Sequence, residues 1–182
     1  MTDIIRFGFV AACAAAAFYL RGDKWLLIAF LFTMSADACL LLLNWHTAGV
    51  TVFVFAQIAY VRRASGNWKA LRLYPLALIL PTALCLAGQP LLLCVSALYG
   101  QTLLWAVFAA AAAHKAGRMP VWRGRLACIG MVLFLGCDIC VALFNLSAAG
   151  IDSPALSAAA GALIWVFYAP SQALLALSAK NR

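Results

Sequence analysis

The chain has 182 residues, is 67% hydrophobic and only 10% charged, and carries a net charge of +8. A soluble domain is about half apolar and about a quarter charged, so this composition excludes an ordinary soluble enzyme and points to a polytopic membrane protein. The length suits one transmembrane bundle domain over residues 1–182, and the helix-length apolar stretches with Ala-rich tracts favour helices over a barrel, whose strands would alternate apolar and polar.

A membrane span needs about 20 apolar residues, with about 17–25 allowed. In chain order the apolar stretches predict helices over 4–20, 24–44, 47–62, 70–87, 90–113, 125–147 and 155–179. Turn or breaker chemistry marks several junctions: Arg21-Gly22-Asp23, Ser65-Gly66-Asn67, Gly88-Gln89-Pro90 and Gly150 to Pro154. The first span lacks a polar cleavage region and runs straight into the bundle, so no cleavable signal peptide is expected.

Charge tests this division. Arg21 and Lys24 fall in the first connection, Arg62, Arg63, Lys69 and Arg72 in the third, and Lys115, Arg118, Arg123 and Arg125 in the fifth. Lys180 and Arg182 close the tail. Every cation except Arg6 therefore lies on alternate connections. By the positive-inside rule that face is cytoplasmic, which puts the N-terminus outside and the C-terminus inside, in an all-α bundle of about seven transmembrane helices. The expected location is the bacterial inner membrane. Cations spread over short loops touch anionic headgroups and do not point to nucleic acid.

The seven cysteines all lie within apolar spans, and an odd number so placed is no disulfide framework. Cys137 and Cys140 match a CxxC spacing, but such redox and metal sites belong in accessible loops. No metal ion or cofactor is expected. His46 and His114 stand apart at span ends, and Trp25, Trp45, Trp68 and Trp122 suit interface anchoring.

Asp37 and Asp138 are the acids that fall inside spans. A carboxylate at the centre of a membrane helix costs about 2.5–3.5 kcal/mol on insertion scales. Both segments repeat one pattern: Asp, Cys two residues later (Cys39, Cys140) and Asn seven later (Asn44, Asn145). Seven residues of α-helix keep Asp and Asn near one face. Each Asp lies ~20 Å from the cationic end at 1.5 Å per residue, so the pair shares one depth. A single intramembrane Asp reads equally well as a helix-to-helix hydrogen bond; two at equal depth favour function. One neutral acid beside one carboxylate is the arrangement that acid–base chemistry uses. Other polar residues fall within reach: Gln57 and Tyr60 three apart, Tyr168 and Gln172 four apart with Pro170 between them, and Tyr99 near Gln101. For each alone, a helix-to-helix hydrogen bond is the simpler reading.

The stretches LFTMSADACLLL, FVFAQIAYV, PLLLCVSALYG, MVLFLGCDICVALFN and FYAPSQALLALS, which together span residues 30–178, resemble the YhhN-like lysoplasmalogenase family. The paired Asp motifs are the specific part of that resemblance. The family usually has Gly where this chain has Ala36 and His where it has Gln57; it is generally eight-spanning, with a Lys-Pro pair near the place of Arg6. The resemblance implies hydrolysis of the vinyl ether of a lysophospholipid to a fatty aldehyde and a glycerophospho-base. It implies Asp37 and Asp138 as catalytic residues. Asn44, Gln57, Tyr60, Tyr99, Asn145, Tyr168 and Gln172 would line the substrate site. The partners are then the lipid bilayer and a lipid substrate. Two other classes fit the intramembrane acids: a proton-coupled transporter of a small molecule or lipid, and a non-catalytic lipid-binding bundle. Parallel Asp helices disfavour the inverted repeat common in transporters.

Overall fold

The computed structural model describes residues 2–148 and 154–179, and all regular structure among them is helical. Most of the turn expected at 150–154, with Asp152, and the tail cations Lys180 and Arg182 lie outside the described residues. Helix α1 spans Thr2–Tyr19 and leads through Arg21, in left-handed conformation (φ 55°), to Asp23. Asp23 caps α2 (Lys24–Asp37) by accepting the Leu26 N–H at Oδ1, 3.1 Å.

The second predicted helix does not continue as α-helix to residue 44. Asp37 is the last α-helical residue, and Ala38–Leu42 form a π turn, in which the Leu43 N–H donates to the Ala38 carbonyl at 3.1 Å. The wider turn rotates everything after Asp37 relative to an α-helical register. Asn44 then ends the segment in left-handed conformation, φ 56°. The next helix packs directly on this turn: a Cβ at Gly49 would come within 2.5 Å of Leu40 Cγ and 3.1 Å of the Ala36 carbonyl oxygen.

Helix α3 (His46–Ser65) stops at Gly66, φ 71°. The fourth predicted helix, 70–87, is replaced by a 3-10 stretch, Trp68–Leu78, and a short α4, Ile79–Leu86. Pro75 lies inside this stretch and disfavours an α-helix there, because it has no N–H to donate and its ring crowds the carbonyl four residues back. Helices α5 (Leu91–Lys115), α6 (Val121–Ala148) and α7 (Pro154–Leu177) are long, and α7 stays helical through Pro170.

Helix packing follows the order α1, α2, α3, α5, α6, α7 and back to α1, a closed ring of six helices, with α4 and its 3-10 stretch against α5. Arg63 near the end of α3, Ser178 just past α7, Asp23 before α2 and Arg123 at the start of α6 meet at one end. Gly22 lies against Ala179, and Gly124 against His114 at the end of α5. The turns after α1, α3 and α5 therefore share this charged end. Large apolar side chains such as Leu31, Phe55, Phe108, Val132, Ile139 and Val166 point outward and stay exposed, as a lipid-facing surface requires.

By length and composition four helices suffice to cross a membrane: Lys24–Leu42, Leu91–Lys115, Val121–Asn145 and Ala155–Leu177, with Tyr74–Leu86 a shorter apolar helix. Composition sets α3 apart from the four, since it carries Gln57, Arg62 and Arg63, whereas α1 is as apolar as α6 and only shorter.

Candidate active site

Inside the ring, each interior acid is held by a tyrosine. The Tyr168 hydroxyl donates to Asp37 Oδ2 at 2.6 Å, and the Tyr99 hydroxyl donates to Asp138 Oδ2 at 2.7 Å. The first bond reaches from α7 to α2, helices separated by α1 in the ring, so it passes through the interior rather than along a helix seam. A phenol reaches that far while keeping an apolar body, which suits a membrane core. Asp37 is only 4% exposed, Tyr99 and Tyr168 are buried, and Asp138 is partly buried. Their tyrosines are linked through Phe53 and Phe134, which places the two carboxyls in the same region of the interior.

Aromatic rings bind these groups into one layer. Phe53 contacts Tyr99 (centroids 5.7 Å) and Phe134 (5.9 Å), and Phe134 contacts Tyr168 at 5.6 Å. Trp165 meets Tyr168 edge to face at 5.3 Å, and the Arg6 guanidinium lies over the Trp165 ring at 4.9 Å. Rigid neighbours of this kind fix the tyrosine rotamers, and through them the carboxyl orientation. With Oδ2 of each Asp accepting a phenol proton, Oδ1 remains to carry or take a proton.

The other predicted residues separate into two groups. Gln57, Tyr60 and Gln172 are buried in the interior, toward the charged end from the carboxyl layer. Phe53, Gln57 and Tyr60 share one face of α3, and Tyr168 and Gln172 share one face of α7. Asn44 and Asn145 are not brought to the layer. Asn44 is exposed beyond the π turn, which breaks the seven-residue register that would have aligned it with Asp37. Asn145 is exposed and its Nδ2 donates to the Val141 carbonyl of its own helix at 2.9 Å. Gln101 similarly donates to Ala97, 3.1 Å.

Sequence reasoning passed over Thr33 and Ser171, both fully buried; the Ser171 hydroxyl has no partner among the described residues, and that of Thr33 adjoins the Tyr60 hydroxyl. The available signal was position: Thr33 lies one turn before Asp37, and Ser171 beside Gln172. It also treated Arg63 as a loop cation, whereas Arg63 is buried and fully bonded. Its Nε donates to Asp23 Oδ2 at 2.7 Å, Nη1 to Ser178 Oγ at 2.9 Å and Nη2 to the Ser178 carbonyl at 3.1 Å.

An all-helical membrane bundle with two interior carboxyls, tied to tyrosines and free of ion pairs among the described residues, defines the class: a polytopic membrane protein with a carboxyl-pair centre. The chain belongs to the YhhN family, whose sequence model matches residues 4–179. No curated protein and no solved structure is similar enough to the chain to match it.

Proposed function

We propose that this YhhN-family chain is a membrane-embedded hydrolase that cleaves the vinyl ether bond of lysoplasmalogen-type lipids. The observation that carries the reading is the pair of tyrosine-held carboxyls in one interior layer, with no cation paired to them among the described residues. Two neighbouring carboxyls in a low-dielectric interior cannot both hold charge at acceptable cost, so they share a proton. One is then a neutral acid and the other a carboxylate.

Vinyl ether hydrolysis uses both forms. The neutral carboxyl gives its proton to the alkenyl carbon remote from oxygen, leaving positive charge over the other carbon and the ether oxygen. The carboxylate stabilises that charge and takes a proton as water adds to the carbon bearing oxygen. The resulting hemiacetal expels the glycerol oxygen, which leaves with a proton, and the fatty aldehyde remains. Water is consumed, and both carboxyls return to their starting forms after proton exchange. Tyr99 and Tyr168 keep one oxygen of each carboxyl occupied, so that the other faces the reacting atoms. Arg6, set by its stacking on Trp165 and its 3.3 Å ion pair with Asp3, is the cation adjoining this layer and suits the substrate's phosphate.

In this reading the chain crosses the inner membrane seven times with the Arg63 end cytoplasmic. Two observations support it: α1 and α3 complete the ring, and alternate connections carry the cations. A cysteine placed at the exposed Arg118 should react with an impermeant reagent only from the cytoplasmic side. The activity itself is tested by aldehyde release from defined lysoplasmalogens by purified protein. Release that depends on Asp37 and Asp138 supports the hydrolase. An inactive protein that moves protons or lipid across vesicles would favour the transporter.

A further inference from the structure

Between the carboxyl layer and the charged end, the interior of the ring is lined by polar groups that the protein itself leaves short of partners. The amides of Gln57 and Gln172 and the hydroxyl of Ser171 have no hydrogen-bond partner among the described residues, while the hydroxyls of Thr33 and Tyr60 adjoin each other and nothing else polar among them. All five residues are buried: Thr33, Gln57, Ser171 and Gln172 are 0% exposed and Tyr60 is 3% exposed. A buried polar group left unpaired costs about 1–3 kcal/mol, so three such residues beside two hydroxyls with bonding capacity to spare demand a partner.

Their positions are ordered along the bundle. Thr33 lies one turn from Asp37 on α2, Gln57 lies between Phe53 and Tyr60 on α3, and Ser171 and Gln172 follow Tyr168 on α7. Tyr60 lies between the two ends: its hydroxyl adjoins that of Thr33, and its side chain lines a narrow cleft together with Arg63. That cleft, otherwise walled by Met131, Leu175 and several alanines, offers about 10 Å³ of free space, room for no more than one water. From Tyr168 to Ser178 is ten residues of helix, or ~15 Å.

We propose that a file of ordered waters occupies this column and connects the Arg63–Ser178 end to the Asp37 carboxyl. Water is the partner whose size and hydrogen-bonding capacity suit scattered donors and acceptors, each water taking about three bonds. Among the described residues the same column has no cation outside Arg63 and no cluster of acids, so it is not built for an ion. A role for the file as supply line for the hydrolytic water rests on the hydrolase reading; its hydration does not.

The test is radiolytic hydroxyl-radical footprinting of the full-length protein in nanodiscs, comparing wild type with the double variant Gln57→Met and Gln172→Met. Radicals formed from bound internal waters oxidise side chains that bulk solvent does not reach. Tyr60 should be oxidised in the wild type despite its burial, and several-fold less in the double variant, whose melting temperature should stay level or rise. Methionine approximates the shape of glutamine, and apolar replacement of unpaired amides is close to neutral. Tyr60 protected in the wild type would overturn the proposal. So would a Tyr60 signal unchanged in the double variant. A double variant that melts lower while each single variant melts lower still would show the two amides bonded to each other, and would also overturn it. Oxidation of Tyr60 in a protein that releases no aldehyde would leave the water file standing and remove the hydrolase reading.

Discussion

The molecule fixes acids in two places and treats them in opposite ways. At the charged end, Asp23 accepts the Arg63 guanidinium at 2.7 Å, with Arg123 3.8 Å away, and also caps α2. In the carboxyl layer, Asp37 and Asp138 have a phenol each and no cation among the described residues. Asp23 is also 37% exposed at its side chain, so water shares its charge. An acid kept for architecture is neutralised, bonded on both oxygens and placed at an end. The two acids of the layer have none of these compensations, and a fold that needed only a helix contact there could have used an amide. Under the proposed hydrolase function, that contrast gives Asp23 a role in stability and the pair a role in chemistry.

The comparison breaks most visibly by removing charge on each side. Asp138→Asn and Asp37→Asn should each leave the melting temperature close to wild type, since the amide is isosteric and cheaper to bury. Turnover should nevertheless fall by the ~10²–10⁴-fold typical of lost general acid–base catalysis. The double variant should lose little more, because groups acting as a unit are non-additive. Asp23→Ala should show the inverse. It strands Arg63 beside Ser178 and removes the α2 cap, for a loss of roughly 1–3 kcal/mol, below that of a fully buried ion pair because Asp23 is partly solvated. Turnover per folded molecule should stay level; a fall in turnover with unchanged stability would end the division of roles.

Smaller changes sharpen it. Tyr168→Phe removes one hydrogen bond to Asp37, worth about 1.5–3 kcal/mol if the carboxyl is charged when it matters. Steady-state kinetics should show that loss in kcat with little change in KM. Equal effects on both parameters would make Tyr168 a substrate ligand instead. The smallest effect on turnover is expected at Gly49, where a Cβ meets Leu40 and the Ala36 carbonyl. Gly49→Ala should cost about 1–3 kcal/mol through overpacking, read as a lower melting temperature. It should also reduce turnover slightly, because the displaced π turn begins beside Asp37.

How far these features were legible in the sequence depended on whether they were local. The helices α5, α6 and α7 follow from apolar length, and Asp37 and Asp138 stand out because carboxylates are costly in oily runs. The depth match of the two acids follows from counting residues at a fixed rise. Asn44 went astray because a π turn inserts its extra residue just after Asp37 without any composition signal. The segment 70–87 is apolar enough to suggest one helix, although it contains Pro75 and Pro81. Partnerships across the bundle were not legible at all: Tyr168 is 131 residues from Asp37, and Arg63 is 115 from Ser178. Thr33 and Ser171 escaped notice because a helical hydroxyl usually bonds back to its own helix, which theirs do not.

The central claim, that the tyrosine-held carboxyl pair protonates a vinyl ether carbon, is tested most directly in deuterium oxide. Purified protein is incubated with a defined lysoplasmalogen, and the released aldehyde is trapped at once by reduction to the alcohol. Protonation at carbon predicts one deuterium on the carbon next to the former aldehyde, formed at a rate that collapses in the Asp37→Asn/Asp138→Asn double variant. No aldehyde, an aldehyde without that deuterium, or a double variant as fast as wild type would contradict it.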